Sequence, residues 1–419
     1  MKRRCCIIVG AGPAGLSAAI AAARGGQSVV VLEKNDQPGR KLLLAGGKRA
    51  NLMDPATPAP SALEAYGRSG RFLRQALASF SLAGFLKELG VETERDQDDP
   101  QRGSVYVRGG SRRLLDALLA EADKLKVEIV SGAAVRSAAR LADGGFEVAT
   151  SRLAWKCSRL IIATGGVTYP STGSCGDGYR LAGMFGHEVE APRPALGALV
   201  TEPSFPSMAG VSVADASMTL RRDGRKLATG RGALLFTHHG VSGPLALDVS
   251  LELARASSSP QEVPGAQLVA DLCPDMTRER IVEEFLAASK ARPKRRLASA
   301  GLIATLSARL VAELARHAGI DPARRLGEIS RREFGLLAGS VKALTMIVCK
   351  PLDPHGAMVT VGGVVTKGLD PYTMESRISP GLCFAGEVLA PAGRCGGYNL
   401  LMAFATGYAA GARPHASTS

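Results

Sequence analysis

Apolar residues follow two rhythms along this chain. Cys5-Cys6-Ile7-Ile8-Val9 is a short continuous apolar run bounded by glycine, which predicts a buried strand. The alanine-rich stretch Ala14–Arg24 predicts a helix and Ser28–Leu32 a second strand, so residues 5–33 read strand, glycine turn, helix, strand. Residues 70–90 and 111–125 carry Phe72, Leu73, Leu77, Phe80 and Leu114, Leu115, Leu118, Leu119 at helical spacing. Val127–Val130 and Phe146–Ala149 read as short strands. Arg159–Ala163 reads as a buried strand ending in Thr164-Gly165-Gly166.

Near residue 192 the texture changes. Pro192, Pro194, Pro203 and Pro206 punctuate the chain, and Ser217–Leu227 reads as a hairpin about Asp223-Gly224. One more strand, Gln267–Leu272, precedes a helical stretch over 277–340, in which Ser330 and Glu333 fit a capping box. From Met358 to Gly411 the strand-and-glycine texture of the beginning returns. The expected organisation is α/β. One discontinuous domain takes 1–192 and 345–419. A small β-domain takes 193–276, with 335–344 as a further candidate for it, and a helical insert takes 277–334.

The motif that carries chemistry is Gly10-Ala11-Gly12-Pro13-Ala14-Gly15, set between the first strand and the first helix. Gly10 permits a tight turn, Gly12 lets backbone approach a pyrophosphate, and Gly15 lets helix and strand pack closely. The phosphates then meet the positive end of the helix. The second strand ends at Glu33, eighteen positions past Gly15, where a carboxylate can accept both hydroxyls of an adenosine ribose. This fingerprint serves NAD or FAD. Gly39-Arg40-Lys41-Leu42-Leu43, Ala163-Thr164-Gly165-Gly166, and Gly381–Glu387 followed by Gly396-Gly397-Tyr398-Asn399 favour FAD, because they resemble the recurrent segments of two-dinucleotide-fold flavoproteins. A helix opening near Leu400 sets its dipole by the flavin N1/C2 carbonyl. The expected non-covalent FAD contacts are Gly10, Gly12, Pro13, Ala14, Gly15, Glu33, Lys34, Gly39, Arg40, Lys41, Leu42, Val135, Ala163, Thr164, Gly165, Gly386, Glu387, Gly397, Asn399 and Leu400.

Taken together, Gly10–Gly15, Gly39–Leu43, Ala163–Tyr179, Leu235–Pro244 and Met358–Gly411 resemble the YhiN/BaiN-like flavoproteins, also described as the aminoacetone-oxidase family. The resemblance implies a Rossmann-type two-dinucleotide-fold FAD domain, discontinuous, carrying an inserted β-barrel-like domain and a small helical domain. It also implies an FAD-dependent oxidoreductase. The substrates associated with the family range from amines through conjugated steroid-like ketones to uridine in ribosomal RNA. One departure stands out. Where the family has a Gly-Gly-Gly-Arg-Cys-Asn loop, this chain reads Gly46-Gly47-Lys48-Arg49-Ala50-Asn51. Any role of that cysteine is therefore not carried over, and Lys48 becomes a candidate for an anion. The candidate catalytic residues are Cys395, just before the flavin-side glycines, Tyr169, with Thr172 in the same loop as a second neighbour for the ring, and His238, beside His239 in the Thr-His-His-Gly loop.

Composition narrows the classes. The 419 residues suit two or three domains, and no apolar run is long enough to span a membrane. The apolar stretch near Met1 is too short for a targeting segment and runs directly into the glycine motif. Eight cysteines occur without a Cys-x-x-Cys pair, which disfavours zinc ribbons and dithiol reductases and suits a cytoplasmic setting. Only one glycine fingerprint is present, so a reductant such as NAD(P)H would dock transiently and exchange with substrate in ping-pong fashion. The net charge is +14. Between Phe285 and Arg332 eleven basic residues face three acids, a local excess of +8 that raises RNA as a partner. The leading expectation is NAD(P)H-dependent reduction of a conjugated C=C, with uridine in ribosomal RNA as first candidate. The alternatives are a small-molecule amine oxidase using oxygen and an RNA-associated flavin-binding protein without turnover.

Overall fold

The computed structural model describes residues 3–57, 59–95, 104–301, 303 and 305–412. In chain order the first elements are β1 (Arg3–Val9), α1 (Pro13–Arg24), β2 (Val29–Leu32), β3 (Asn51–Met53), α2 (Ala59–Glu64), α3 (Gly70–Ser79), α4 (Leu82–Glu88), β4 (Thr93–Arg95), β5 (Ser104–Val107), α5 (Gly110–Lys124), β6 (Glu128–Val130), β7 (Val135–Arg140), β8 (Phe146–Thr150), β9 (Ala154–Ile162), α6 (Asp177–Met184) and β10 (Val189–Ala195). They continue with β11 (Leu199–Glu202), β12 (Ser212–Arg222), β13 (Arg225–Phe236), β14 (Gly240–Ser242), α7 (Gly243–Arg255), β15 (Gln267–Asp271), α8 (Arg278–Ala291), α9 (Ala308–His317), α10 (Arg331–Lys342) and β16 (Leu344–Val348). The last are β17 (Val359–Val364), β18 (Leu382–Phe384) and α11 (Tyr398–Gly411).

The chain divides into two compact units, Met1–Pro194 with Met358–Ser419, and Ala195–Ala357. The first is built on a seven-stranded sheet in the order β6-β2-β1-β9-β8-β7, with β18 also on β9. β1 pairs in parallel with β2 and with β9. β9 is long enough to hold β8 antiparallel at Ala154–Cys157 and β18 in parallel at Leu160–Ile162. All four residues of β2 are buried, as befits a parallel strand covered on both faces. α1 starts at Pro13, whose fixed φ and missing N–H suit a first helical position. The single helix expected over 70–90 breaks at Phe80, because the Ser81 hydroxyl accepts the Gly84 N–H and starts α4.

In the second unit β11, β14, β13, β12, β15 and β16 close a six-stranded barrel. The turn between β12 and β13 is Asp223-Gly224 with both φ values positive, +49° and +73°, the geometry that matches strand twist. The helical residues α8–α10 fall in this same unit. Their starts are capped by Thr277, Ser307 and Ser330, the last in a reciprocal box with Glu333. The expected boundaries shift here. β16 pairs with β15 and β11 inside the barrel, so the chain returns to the first unit at Met358 rather than at 345. The helical stretch is likewise part of one unit with the barrel rather than a separate body.

Candidate active site

The three glycines of the fingerprint are required for three different reasons. At Gly10, φ is +103° and a Cβ would lie 2.5 Å from the Ala163 carbonyl oxygen. At Gly15 a Cβ would lie 1.9 Å from the Gly10 oxygen. At Gly12 a Cβ would meet nothing within 4 Å, so the space above it is open. Gly12 is the N-cap of α1 and supplies no side chain, which leaves the first N–H groups of the helix facing that space. Ala14, in the first turn of α1, packs against Gly386, where a Cβ would be 2.6 Å from its own.

Glu33 is 6% exposed and uses both carboxylate oxygens. Oε2 accepts the Ala11 N–H at 2.8 Å, and Oε1 accepts the backbone and side-chain N–H of Asn35 at 2.9 and 2.7 Å. It therefore fixes the glycine turn, and one acceptor position, on Oε2, remains for a ribose hydroxyl. Gly39, with φ +69°, ties the next segment to the turn by donating to the Ala11 carbonyl at 3.0 Å. The basic heads expected at the cofactor have protein partners in this structure. Lys34 pairs with Asp177 at 2.6 Å and Arg40 donates to Asn35 Oδ1 at 3.2 Å. Lys41 reaches Glu387 at 2.6 Å and Thr168 at 2.7 Å. Glu387 also accepts the Thr360 N–H at 2.8 Å, so its carboxylate holds together segments the sequence keeps far apart. Leu42 is buried in the core.

At the other end Gly396 and Gly397 adopt φ +123° and +84°, and Gly397 caps α11. A Cβ on Gly397 would come within 2.1 Å of Leu52 and Met53 backbone, so α11 opens directly against β3. The Asn399 side chain turns away from the helix start. It accepts the Gly393 N–H at 2.8 Å and donates to the Gly393 oxygen at 2.9 Å, clamping the loop beside half-buried Leu400. Two buried side-chain oxygens lack a partner among the described residues: Asn51 Oδ1, on β3, and Thr164 Oγ1, after β9. Such atoms cost about 1–3 kcal/mol each unless a partner bonds them, so the residues present fit a large polar ligand such as FAD. In the sequence Asn51 is only the last residue of the Gly46–Asn51 loop, and nothing local marks it out. Val135, on β7, is buried, and its carbonyl accepts from Arg180 at 3.3 Å.

The candidate catalytic residues lie on three separate segments. Tyr169 has φ +52°, unusual for a bulky residue, and the Lys41 ammonium lies 6.0 Å from its ring. Its loop is anchored to Asn35 through the Thr172 carbonyl at 3.0 Å, which draws it toward the Glu33 end rather than the α11 end. Cys395 is half-buried on the loop that leads into α11. His238 is exposed between β13 and β14 in the other unit. Three further thiols are unsuited to nucleophilic chemistry. Burial pushes Cys6 and Cys157 up to about 12 and Cys383 up to about 11. Burial likewise raises the Tyr179 phenol, which lies near the Glu387 charge. The described residues contain no cluster able to hold a metal, and no helix among them is long and apolar enough to cross a membrane.

A glycine-capped helix on a parallel sheet, a buried acid at the end of β2 and a second glycine-capped helix form the frame of an FAD-dependent oxidoreductase. The chain belongs to the family described as HI0933-like protein Rossmann domain, which it matches over residues 4–413. It is similar to the ribosomal RNA dihydrouridine synthase of Haemophilus influenzae, 30% identical over 96% of both chains. It is also similar to the 3-dehydro-bile acid delta(4,6)-reductase of Clostridium scindens, 31% identical over 96% of this chain and 97% of that one. Among solved structures, an open flavocytochrome c3 fumarate reductase shares the fold at TM-score 0.53 and 16% identity, over 98% of this chain and 78% of that one. A 3-ketosteroid-delta4-(5alpha)-dehydrogenase from Rhodococcus jostii RHA1 does so at 0.51 and 17%, over 98% and 97%.

Proposed function

We propose that this chain takes hydride from NADPH or NADH and saturates a conjugated carbon–carbon double bond, with uridine in ribosomal RNA as the substrate. The observation that carries the reading is near-full-length similarity to two relatives, named for dihydrouridine synthesis and for delta(4,6) reduction. Both names describe removal of a C=C. The local excess of +8 between Phe285 and Arg332 favours the anionic substrate over a steroid.

When bound, FAD supplies a hydride carrier at its N5. The balance is one NAD(P)H and one proton consumed per double bond saturated. Uracil C6 is the electrophilic end of an enone-like system, so hydride goes to C6 and a proton to C5. Cys395, at the loop entering α11, is the proposed proton donor, because a thiol can act as a general acid. Tyr169 beside Lys41, and His238, are the reserves. Gly10, Gly12, Gly15 and Glu33 are proposed to hold the adenosine and pyrophosphate, and Gly386, Glu387, Gly397 and Leu400 the flavin end. The uracil must leave its stack to reach the ring, at about a few kcal/mol.

Deleting the gene and mapping dihydrouridine in ribosomal RNA tests the reading. Loss of one dihydrouridine, restored by the gene, supports it, whereas persistence of every dihydrouridine refutes it. A small-amine oxidase would turn over with oxygen alone and needs no cationic surface.

A further inference from the structure

We infer that the RNA is held by one basic edge of the second unit, formed where α8 ends and α10 begins; this rests on the RNA reading above. Residues 293–298 and 322–327 run antiparallel. The Leu297 N–H donates to Arg324 O at 3.0 Å, Ala298 to Pro322 at 2.9 Å, Leu326 to Arg295 at 2.9 Å and Gly327 to Pro293 at 3.0 Å. This places Arg296 opposite Arg325. Ser289, in the last turns of α8, donates to Leu326 O at 2.8 Å and brings Lys290 and Arg292 to the same end. α10 starts at Ser330, so Arg331 and Arg332 follow directly.

Internal pairing sorts these cations. Arg316 is committed to Glu313, and Arg324 to Glu333. Arg309 donates to the Ser207 carbonyl. Lys290, Lys294, Arg295, Arg296, Arg325, Arg331 and Arg332 are exposed, and none has an ion-pair partner among the described residues. Arg331 and Arg332 occupy the first turn of α10, where the positive end of the helix repels cations. The Glu333 carboxylate already meets the Ser330 N–H at this helix start, and a phosphate beside it would be attracted by both guanidinium groups. Beside the ribbon, Arg296 borders a shallow, open cleft of about 600 Å³ that Arg316, Asp321 and Ala323 also line. The nearby aromatics, Phe285 and Phe334, are both fully buried, so this edge contacts phosphates rather than stacked bases.

The test is the triple reversal R295E/R296E/R325E, with R225E/K226E at the tip of the β12–β13 hairpin as a charge control in the same unit. Binding to a structured ribosomal RNA transcript is followed across salt, together with FAD content and dihydrouridine in the deletion strain carrying each variant. The triple variant is expected to lower the slope of log affinity against log salt by roughly 2 to 3, about 0.7–0.9 per lost phosphate contact. It should fail to restore dihydrouridine while keeping its FAD, and the hairpin control should bind and restore like the wild type. An unchanged slope and restored dihydrouridine in the triple variant overturn the edge and leave the RNA reading standing. Equal loss in the hairpin control also overturns the edge, since net charge alone then explains binding. Failure of the wild-type gene to restore dihydrouridine overturns both.

Discussion

Glu33 is a position where the structure changes the expected result of a mutation. The sequence alone assigns it to the ribose, so Glu33→Ala should affect only FAD affinity. In the structure its Oε2 takes the Ala11 N–H at 2.8 Å inside the glycine turn, and its Oε1 takes two N–H groups of Asn35. Alanine would leave a buried backbone donor without a partner, which costs about 1–3 kcal/mol, before any ligand is considered. Loss of the Asn35 bonds adds less, because that side is only half-buried and water can replace them. Flavin-stripped Glu33→Ala is therefore expected to be less stable by about 2–3 kcal/mol, a fall in Tm of roughly 4–12 °C at about 2–4 °C per kcal/mol. Glu33→Gln should fall in between. Both of its acceptor positions face N–H donors, so an amide can satisfy Ala11 only by turning its own NH₂ toward Asn35, at a cost of about 1 kcal/mol. Thermal denaturation of the stripped proteins, with FAD titration alongside, measures both effects. If stripped Glu33→Ala melts with the wild type and only FAD affinity falls, the Ala11 bond does not support the turn and the reasoning fails.

Four other outcomes are expected. Gly12→Val should fold yet lose FAD, because the side chain enters open space next to the α1 N-terminus rather than clashing with protein; a variant still carrying flavin after gel filtration refutes this. Cys395→Ala should slow the proton-transfer step and leave flavin reduction by NAD(P)H unchanged in stopped-flow traces, and full turnover would place the acid elsewhere. Lys48 holds φ +73°, so Lys48→Gly should keep or raise stability by up to about 1 kcal/mol in chemical denaturation; a clear loss would show that the lysine side chain contributes to the fold. His187 bonds Ser376 Oγ at 2.8 Å, and burial lowers its pKa below 6.5. Its unfolded form takes up a proton first as pH falls, so its contribution to stability is complete above about pH 6.5 and declines below it. His187→Gln should flatten that acid limb, and an unchanged limb would assign it to other groups.

Much of the first unit was legible in the sequence because its signals are local. The apolar run, three glycines, alanine helix and acid all lie within residues 5–33, and β1, α1 and β2 follow them to within two residues. The Asp223-Gly224 turn and the Ser330–Glu333 box are local in the same way. What was missed depends on distant partners. β3 and β5 are three and four residues long, and Asn51 meets Tyr106 across more than fifty positions. The Lys41–Glu387 pair is separated by 346 positions, so nothing near Lys41 reveals that its head is already engaged. β16 follows a helix and resembles the start of the returning domain, and only its pairing with β15 and β11 assigns it to the barrel. Asn399 lies in the first turn of α11, and its clamp on Gly393 depends on the loop geometry rather than on any local pattern.

The packing of α11 on α1 has a consequence for how the protein is made. Gly407 and Gly411 have no room for a Cβ, which would come 2.2 Å from the carbonyl oxygens of Ala14 and Ala18. Ser17 donates to the Phe404 carbonyl across 387 positions at 2.8 Å. The helix that begins at the fingerprint glycines therefore gets its cover from almost the last described residues to be synthesised. At roughly 5–20 residues per second a ribosome needs roughly 20–80 seconds to reach them. Throughout that interval the alanine face of α1 lacks this cover, while the whole barrel unit is translated and can close on its own strands. A premature stop before Tyr398 would thus leave that face open for good, and a nascent chain is expected to depend on chaperones at α1 until α11 arrives.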